Sequence, residues 1–377
     1  MRKQFLIIGI LVLGLILFAQ EIQHETIAIN IEVPVRVFTK GQFVEELTIK
    51  DFEVYEDGVN QEILALYLVK RTVIEREETE IDTKQARKIF IPETSRTFVL
   101  IFEMMDYFPK IRETFDYFFE NVFSQGDSLL IVTPLETYSF EKEQLDKTPR
   151  EEIVEQLNGK LRKDIKMAAR EYKSMIRDLE WLANVEDSSG SNIMAAKEIL
   201  EQISEYRYFD EEKLMEFKDQ LKDIEGQKYV FLFYQQQIIP IPEGIPDARE
   251  KRVSFNVDKI KQSFADSSIN INFIFLTKTE QHQLDMFRMD PTGLKLDNIS
   301  AEMFGAFIEV AKATGGITDS SSNIASSFQR AVISSENYYL LYYAPKNYKA
   351  DGKFKNIKVK VKGNNYRVTH RAGYLAD

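Results

Sequence analysis

Phe98–Phe102 is an uninterrupted apolar run, and it gives way at once to Glu103, Met105, Asp106 and Tyr107. A strand with one wet face alternates polar and apolar residues, whereas a wholly apolar one must be covered on both faces. That demands a sheet with helices above and below it. The sequence supplies them from Thr97 to about Thr318, with strands expected at 97–102, 128–133, 229–234 and 269–276. Helices are expected at 109–123, 255–265 and 300–313 between and after them. Alternation of this kind implies a mostly parallel, doubly wound α/β sheet.

A long helix opens near Thr148. Thr148 suits the N-cap, Pro149 the first helical position, and Glu151 the capping box. Its apolar stripe runs Leu157, Leu161, Ile165, Ala168, Tyr172, Met175, Leu179 and Leu182, the signature of a helix packed within its own domain. Continuous to Ala183, it would be about 50 Å long, with Gly159 marking a bend. Shorter helices at Asn192–Tyr206 and Asp210–Leu221 are expected to pack on it, so 148–221 reads as a helical insertion.

Both ends of the chain are strand-like. Residues Ile27 to Val37 place Ile27, Ile29, Ile31, Val33, Val35 and Val37 on one face, a half-buried strand that Pro34 assigns to a sheet edge. Phe52–Tyr55 and Gln61–Leu68 flank Asp57-Gly58, a hairpin signal. Residues 74–95 read as a polar linker. Tyr338–Tyr343 is aromatic-rich, Phe354–Lys362 alternates Ile357, Val359 and Val361 with lysines, and 365–374 adds a last strand. Lysines along one face suit an exposed surface and discourage aggregation. Neither terminal group makes a comfortable sheet alone. Residues 26–73 and 337–375 are therefore expected to pair into a β-sandwich-like module, with the α/β domain of 96–320 inserted between them.

Residues 1–20 begin with Arg2-Lys3 and continue as an apolar run from Phe5 to Ala19. This is the pattern of a secretory signal peptide, with an uncleaved membrane anchor as the alternative. The rest of the chain is expected to be exported, in the periplasm or outside the cell, with membrane contact only through that segment. A formal net charge of −11 argues against nucleic acid as a partner. There is no cysteine, hence no disulfide, and a core of this size needs none.

The stretch Arg96–Phe108 resembles the first strand and loop of von Willebrand factor A (VWA) domains, which normally end in Asp-x-Ser-x-Ser and hold a divalent ion. Further resemblance is to a bacterial exported VWA-related family. It lies in Val33-Pro-Val-Arg-Val37, Leu47 to Gly58, Ala313-Thr-Gly-Gly316, Tyr338–Pro345 with Gly352-Lys-Phe354, and Arg371-Ala-Gly-Tyr374. The resemblance implies a metal site whose first-loop positions are Glu103, Met105 and Tyr107, whose second-loop position is Ser191, and whose third is Gln235. Hard cations need oxygen ligands at about 2.0–2.1 Å, and a thioether, a distal phenol and a neutral amide are poor substitutes. The site is therefore expected to be degenerate and to hold no metal.

His24, His282 and His370 are isolated in sequence and read as solvated surface residues. A nucleophile elbow and a phosphate-binding glycine loop are both missing. The expected function is thus a non-enzymatic protein-binding or scaffold protein of the bacterial cell envelope, with no cofactor and no catalytic residues. Its partner contacts are expected from the loops 103–108, 187–192 and 234–243, with Met105, Tyr107, Phe108, Tyr234, Gln235 and Gln236 as candidates. The alternatives are a metal-dependent adhesion domain using Glu103, Asp106 and Ser191, and an envelope hydrolase.

Overall fold

The computed structural model describes residues 29–79, 92–140, 145, 147–185, 190–205, 211–236, 238–241, 256–266, 269–277, 295–298, 301–363 and 365–376. The apolar N-terminal segment, His24, His282 and residues 80–91 of the expected linker lie outside them. Among the described residues, no helix is long and apolar enough to cross a membrane.

The terminal strands meet. β1 (Ile31–Thr39) runs antiparallel to β15 (Asn337–Tyr343), and β15 pairs in turn with β5 (Ile63–Lys70). β6 (Val73–Thr79) lies at one edge of this sheet, and β17 (Arg367–His370) pairs with the far side of β1. β1 is therefore interior rather than the edge strand that Pro34 suggested. Pro34 is tolerated because β17 pairs only with Val35–Phe38, leaving the proline just beyond that ladder. β6 also corrects the linker reading: its glutamate-rich sequence is an exposed edge strand.

A second sheet stacks on the first. β3 (Phe52–Glu56) and β4 (Val59–Gln61) form the hairpin around Asp57-Gly58, where both residues have positive φ (47° and 83°). β3 pairs with β16 (Phe354–Val361), which pairs with β18 (Gly373–Leu375). Val33, Val35, Val37, Val54, Leu66, Leu341, Ile357 and Val359 fill the space between the sheets. Glu56 ties the two ends of the chain together here, accepting from Tyr343 Oη at 2.8 Å and Tyr374 Oη at 3.0 Å. The other face of β1 is buried as well, which the period-two reading did not anticipate. Arg36 is 2% exposed, donates to the Ser334 carbonyl and lies over the rings of Tyr229 and Tyr338.

The inserted part is built on a parallel sheet. Every residue of β7 (Arg96–Glu103) is buried. It lies between β8 (Ser128–Val132) and β10 (Gln227–Gln235), parallel to both. β12 (Ile269–Leu276) and β14 (Thr318–Ser321) continue the parallel order, and antiparallel β9 (Thr137–Phe140) closes the opposite edge. A two-stranded ribbon pairs β11 (Ile238–Ile241) with β13 (Lys295–Asn298). The whole is a mixed α/β structure, with seven α-helices among the described residues.

One sheet face packs on α1 (Ile111–Tyr117), the first half of α2 (Arg150–Asn184) and α7 (Ile324–Val332), through Phe98, Leu100, Phe102, Phe231 and Phe233. The opposite face carries Val99, Ile101, Val230, Leu232, Phe273 and Phe275. It packs on α4 (Glu211–Lys222), α5 (Val257–Asp266) and α6 (Ala301–Ala313). Coverage on both sides is what the apolar run of β7 requires.

α2 runs without interruption through Gly159, as the continuous stripe implied, and its N-cap is Pro149 rather than Thr148, with no side-chain cap. Leu157, Leu161 and Ile165 sit on the sheet core. Tyr172, Leu179 and Leu182 pack instead against Ala196, Leu200 and Ile203 of α3 (Ser191–Glu205), forming a helical hairpin.

Candidate functional site

The order β14-β12-β10-β7-β8-β9 reverses direction between β7 and β10. From β7 the chain proceeds to β8 on one side, then returns to β10 on the other. Loops leaving the carboxyl ends of strands diverge at such a switch point, so a crevice opens there in open α/β sheets. Glu103 and the residues after it leave β7 at this point, and Gln235 ends β10 beside them.

Gln235 fills the crevice. Its Oε1 accepts from the backbone N–H of Met105 and of Asp106, both at 2.8 Å, while its Nε2 donates to Asp106 Oδ2 at 2.8 Å. Gln235 is 2% exposed; its bond from the Met105 N–H is buried, while the two to Asp106 are part-buried. The other Asp106 oxygen meets Lys173 Nζ of α2 at 2.7 Å. Tyr107 donates its hydroxyl to Asn158 Oδ1, also on α2, and Arg162 lies 5.7 Å over its ring. Met105 is 4% exposed and inserts into the hairpin cluster with Tyr172, Ala196 and Leu200.

These positions correct the expected contact surface. Met105, Tyr234 and Gln235 are buried and cannot face a partner. Tyr234 instead stacks on Phe275 (6.0 Å, 12°) and packs near Phe273 and Phe307. Phe108 is half-buried against the sheet core, and Gln236 is half-buried with its N–H donating to the Leu276 carbonyl at 2.9 Å. Ser191 opens α3 and is exposed, but its helix contributes Ala196, not the serine, to the Met105 cluster. Residues 187–189 and 242–243 of the expected loops lie outside the described ones.

The residues do not suit a divalent ion. The Met105 thioether is turned into an apolar cluster, the Gln235 oxygen is committed to two N–H groups, and the Tyr107 hydroxyl is committed to Asn158. Asp106 already faces an ammonium. Glu103 keeps a carboxylate near the loop and is 8% exposed. Among the described residues, no three His, Cys, Asp or Glu side chains gather as a metal site.

The sequence reading missed α2's contribution because it followed only the apolar stripe. Asn158, Arg162, Lys166 and Lys173 recur at helical spacing along a different face, and that periodicity was the available signal. It also missed Asp164, 4% exposed, which accepts from Thr133 Oγ1 at 2.9 Å and Tyr138 Oη at 2.7 Å. This bond set fastens α2 to the β8–β9 edge, and burial together with the Asp164 carboxylate pushes the Tyr138 pKa up to about 12.

His370 is likewise not a solvated surface residue. Its Nε2 accepts from the Val359 N–H at 3.2 Å and its Nδ1 lies 2.7 Å from the Arg371 carbonyl, which fixes a neutral ring protonated at Nδ1. Burial holds its pKa below the usual imidazole range, against the raising effect of the Arg371 bond.

No family model matches the chain, and no curated protein matches it. Among solved structures it is similar to the human COPII-coat protein Sec24c, with a TM-score of 0.34 and 7% sequence identity. That similarity covers 83% of this chain and 46% of the other, so this chain spans about half the length of that neighbour. Likeness at this level carries neither fold nor function across.

Proposed function

We propose that this chain is a non-enzymatic protein-binding or scaffold protein of the bacterial cell envelope, exported by its N-terminal segment. In this reading a VWA-like α/β domain is presented on a β-sandwich and binds without a metal. The parallel strand order, the helices on both faces and the sequence resemblance support the VWA-like assignment. The closed crevice at Gln235 supports metal independence.

The contact surface in this proposal is the tip of the α2–α3 hairpin rather than the loops at the strand ends. One observation carries it: Trp181, the chain's single tryptophan, is 63% exposed on α2, and Met194 on α3 is 75% exposed. Val185 and Ile193 beside them are also exposed. Tryptophan and methionine are costly to leave in water and are enriched where proteins dock.

A photoreactive phenylalanine analogue placed at 181, compared with one at Lys360 on the exposed face of β16, tests this in the native host. Covalent adducts to a discrete second protein from position 181 alone are the expected result. Adducts from neither position, or equally from both, would remove the hairpin tip as the docking surface.

A further inference from the structure

A cleft of about 530 Å³ opens between the β7–α1 loop and α2, immediately outside the Gln235-filled crevice. Its volume lies within the range of small-molecule sites, and it occupies the switch point where α/β sheets place ligands. Its charge sets it apart from the rest of the chain. The protein carries a formal net charge of −11, yet this cleft gathers Arg112 from α1 with Arg162, Lys166 and Lys173 from α2. Among the described residues lining it, Asp106 is the single acid, and Lys173 already faces it at 2.7 Å. Asp116 reaches Arg112 only at 4.0 Å, with both groups about half exposed, a pair that neutralises little.

We infer that this cleft binds a phosphate-bearing small molecule, held by Arg162 and Lys166 with Arg112 at the rim. Arg162 and Lys166 are one helical turn apart, so with no anion between them they repel. Guanidinium forks and ammonium groups converging from two elements match the several oxygens of a phosphate. Tyr107 and Asn158 are fixed by their mutual hydrogen bond, and Arg162 lies over the Tyr107 ring, so part of the wall is ordered in advance. Pro109 and the half-buried ring of Tyr107 supply an apolar part of the wall, suited to the organic body of a phosphate ester rather than to a bare ion. The inference is independent of the hairpin-tip reading, since it uses other residues on another part of α2.

Calorimetric titration of the full chain with phenyl phosphate, inorganic phosphate and citrate at low ionic strength tests it. Saturable sub-millimolar binding of phenyl phosphate is expected, weaker binding of inorganic phosphate, and at least a tenfold loss for phenyl phosphate in R162Q/K166Q. K358Q/K360Q, which removes cations from the exposed face of β16, is expected to bind as the wild type does. Both variants replace exposed side chains, and urea midpoints equal to the wild type's establish that they fold. No saturation with either phosphate, undiminished binding in R162Q/K166Q, or equal losses in the two variants would overturn the site. Tighter binding of citrate than of phenyl phosphate would overturn the assigned ligand class, and inorganic phosphate binding as tightly as the ester would overturn the role of the apolar wall.

Discussion

Gln235→Ala is the substitution that most directly probes why the loop after β7 holds its shape. The amide accepts two backbone N–H groups and donates to a carboxylate, all at 2.8 Å. A buried donor left without a partner costs about 1–3 kcal/mol. The Met105 N–H is buried and should incur that cost in full, while the Asp106 N–H is partly buried and can recover some of it from water. Together the loss should be about 2–4 kcal/mol, read as a lower urea midpoint at unchanged slope.

Gln235→Glu separates this cause from mere loss of packing. It preserves shape and both acceptor bonds but turns the donor to Asp106 into a second carboxylate oxygen. One carboxyl of the pair then keeps its proton in the folded state, with a raised pKa. A folded pKa raised above the unfolded value gives stability that is present at acid pH and lost as pH rises through the folded value. Q235E should therefore approach the wild type near about pH 5 and fall behind it by about pH 8. Q235A within about 0.5 kcal/mol of wild type, or Q235E with no added pH dependence, would refute the reasoning.

Arg96 is fully buried and donates to both oxygens of Asp127, at 3.0 and 2.6 Å, and to the carbonyls of Val122 and Ser335. Arg96→Met should cost about 3–5 kcal/mol by stranding the Asp127 charge, and a double-mutant cycle with Asp127→Asn should show strong coupling; additive losses in urea melts would contradict it. The His370 pKa is lowered by burial, so the unfolded chain takes up that proton first on acidification. Its stabilising contribution is present above about pH 6.5 and is lost as pH falls through the folded pKa. The stability difference between wild type and His370→Gln should therefore shrink from pH 7.5 to 5, and a constant difference across that range would contradict the assignment.

Elements with strong periodicity were legible from sequence. The strand expected at 269–276 is Ile269–Leu276, and the helix expected over 192–206 is Ser191–Glu205. The failures have identifiable causes. Gln61–Leu68 reads as one strand, but the chain leaves one sheet after Gln61 and enters the other at Ile63, a change of partner that local pattern does not encode. Residues 365–374 split for the same reason between β17 and β18.

The Thr314-Gly315-Gly316 stretch is fixed by close backbone approach. A Cβ on Gly316 would collide with the Ile271 carbonyl, while Gly315, at φ 74°, lies against the backbone of His370. Thr314 Oγ1 accepts from the Ile271 N–H at 3.1 Å, and the Ala372 N–H donates to the Ala313 carbonyl at 2.7 Å. That segment therefore joins the parallel sheet to the C-terminal strands, a role carried by contacts distant in sequence. At the candidate site the ligand types could be judged from sequence, because a thioether and an amide are poor partners for a hard cation. The helix lying over the loop could not, since its position depends on Asp164 and on a hairpin packed around Met105.

The central claim is that Gln235 and α2 hold this crevice closed without an ion. Thermal unfolding of the purified chain in Mg²⁺, Mn²⁺ or Ca²⁺, against chelator, tests it most directly. The account predicts the same midpoint in all four conditions. A saturable rise, equivalent to about 2.7 kcal/mol at a hundredfold excess over the dissociation constant and abolished by Glu103→Gln or Asp106→Asn, would contradict it.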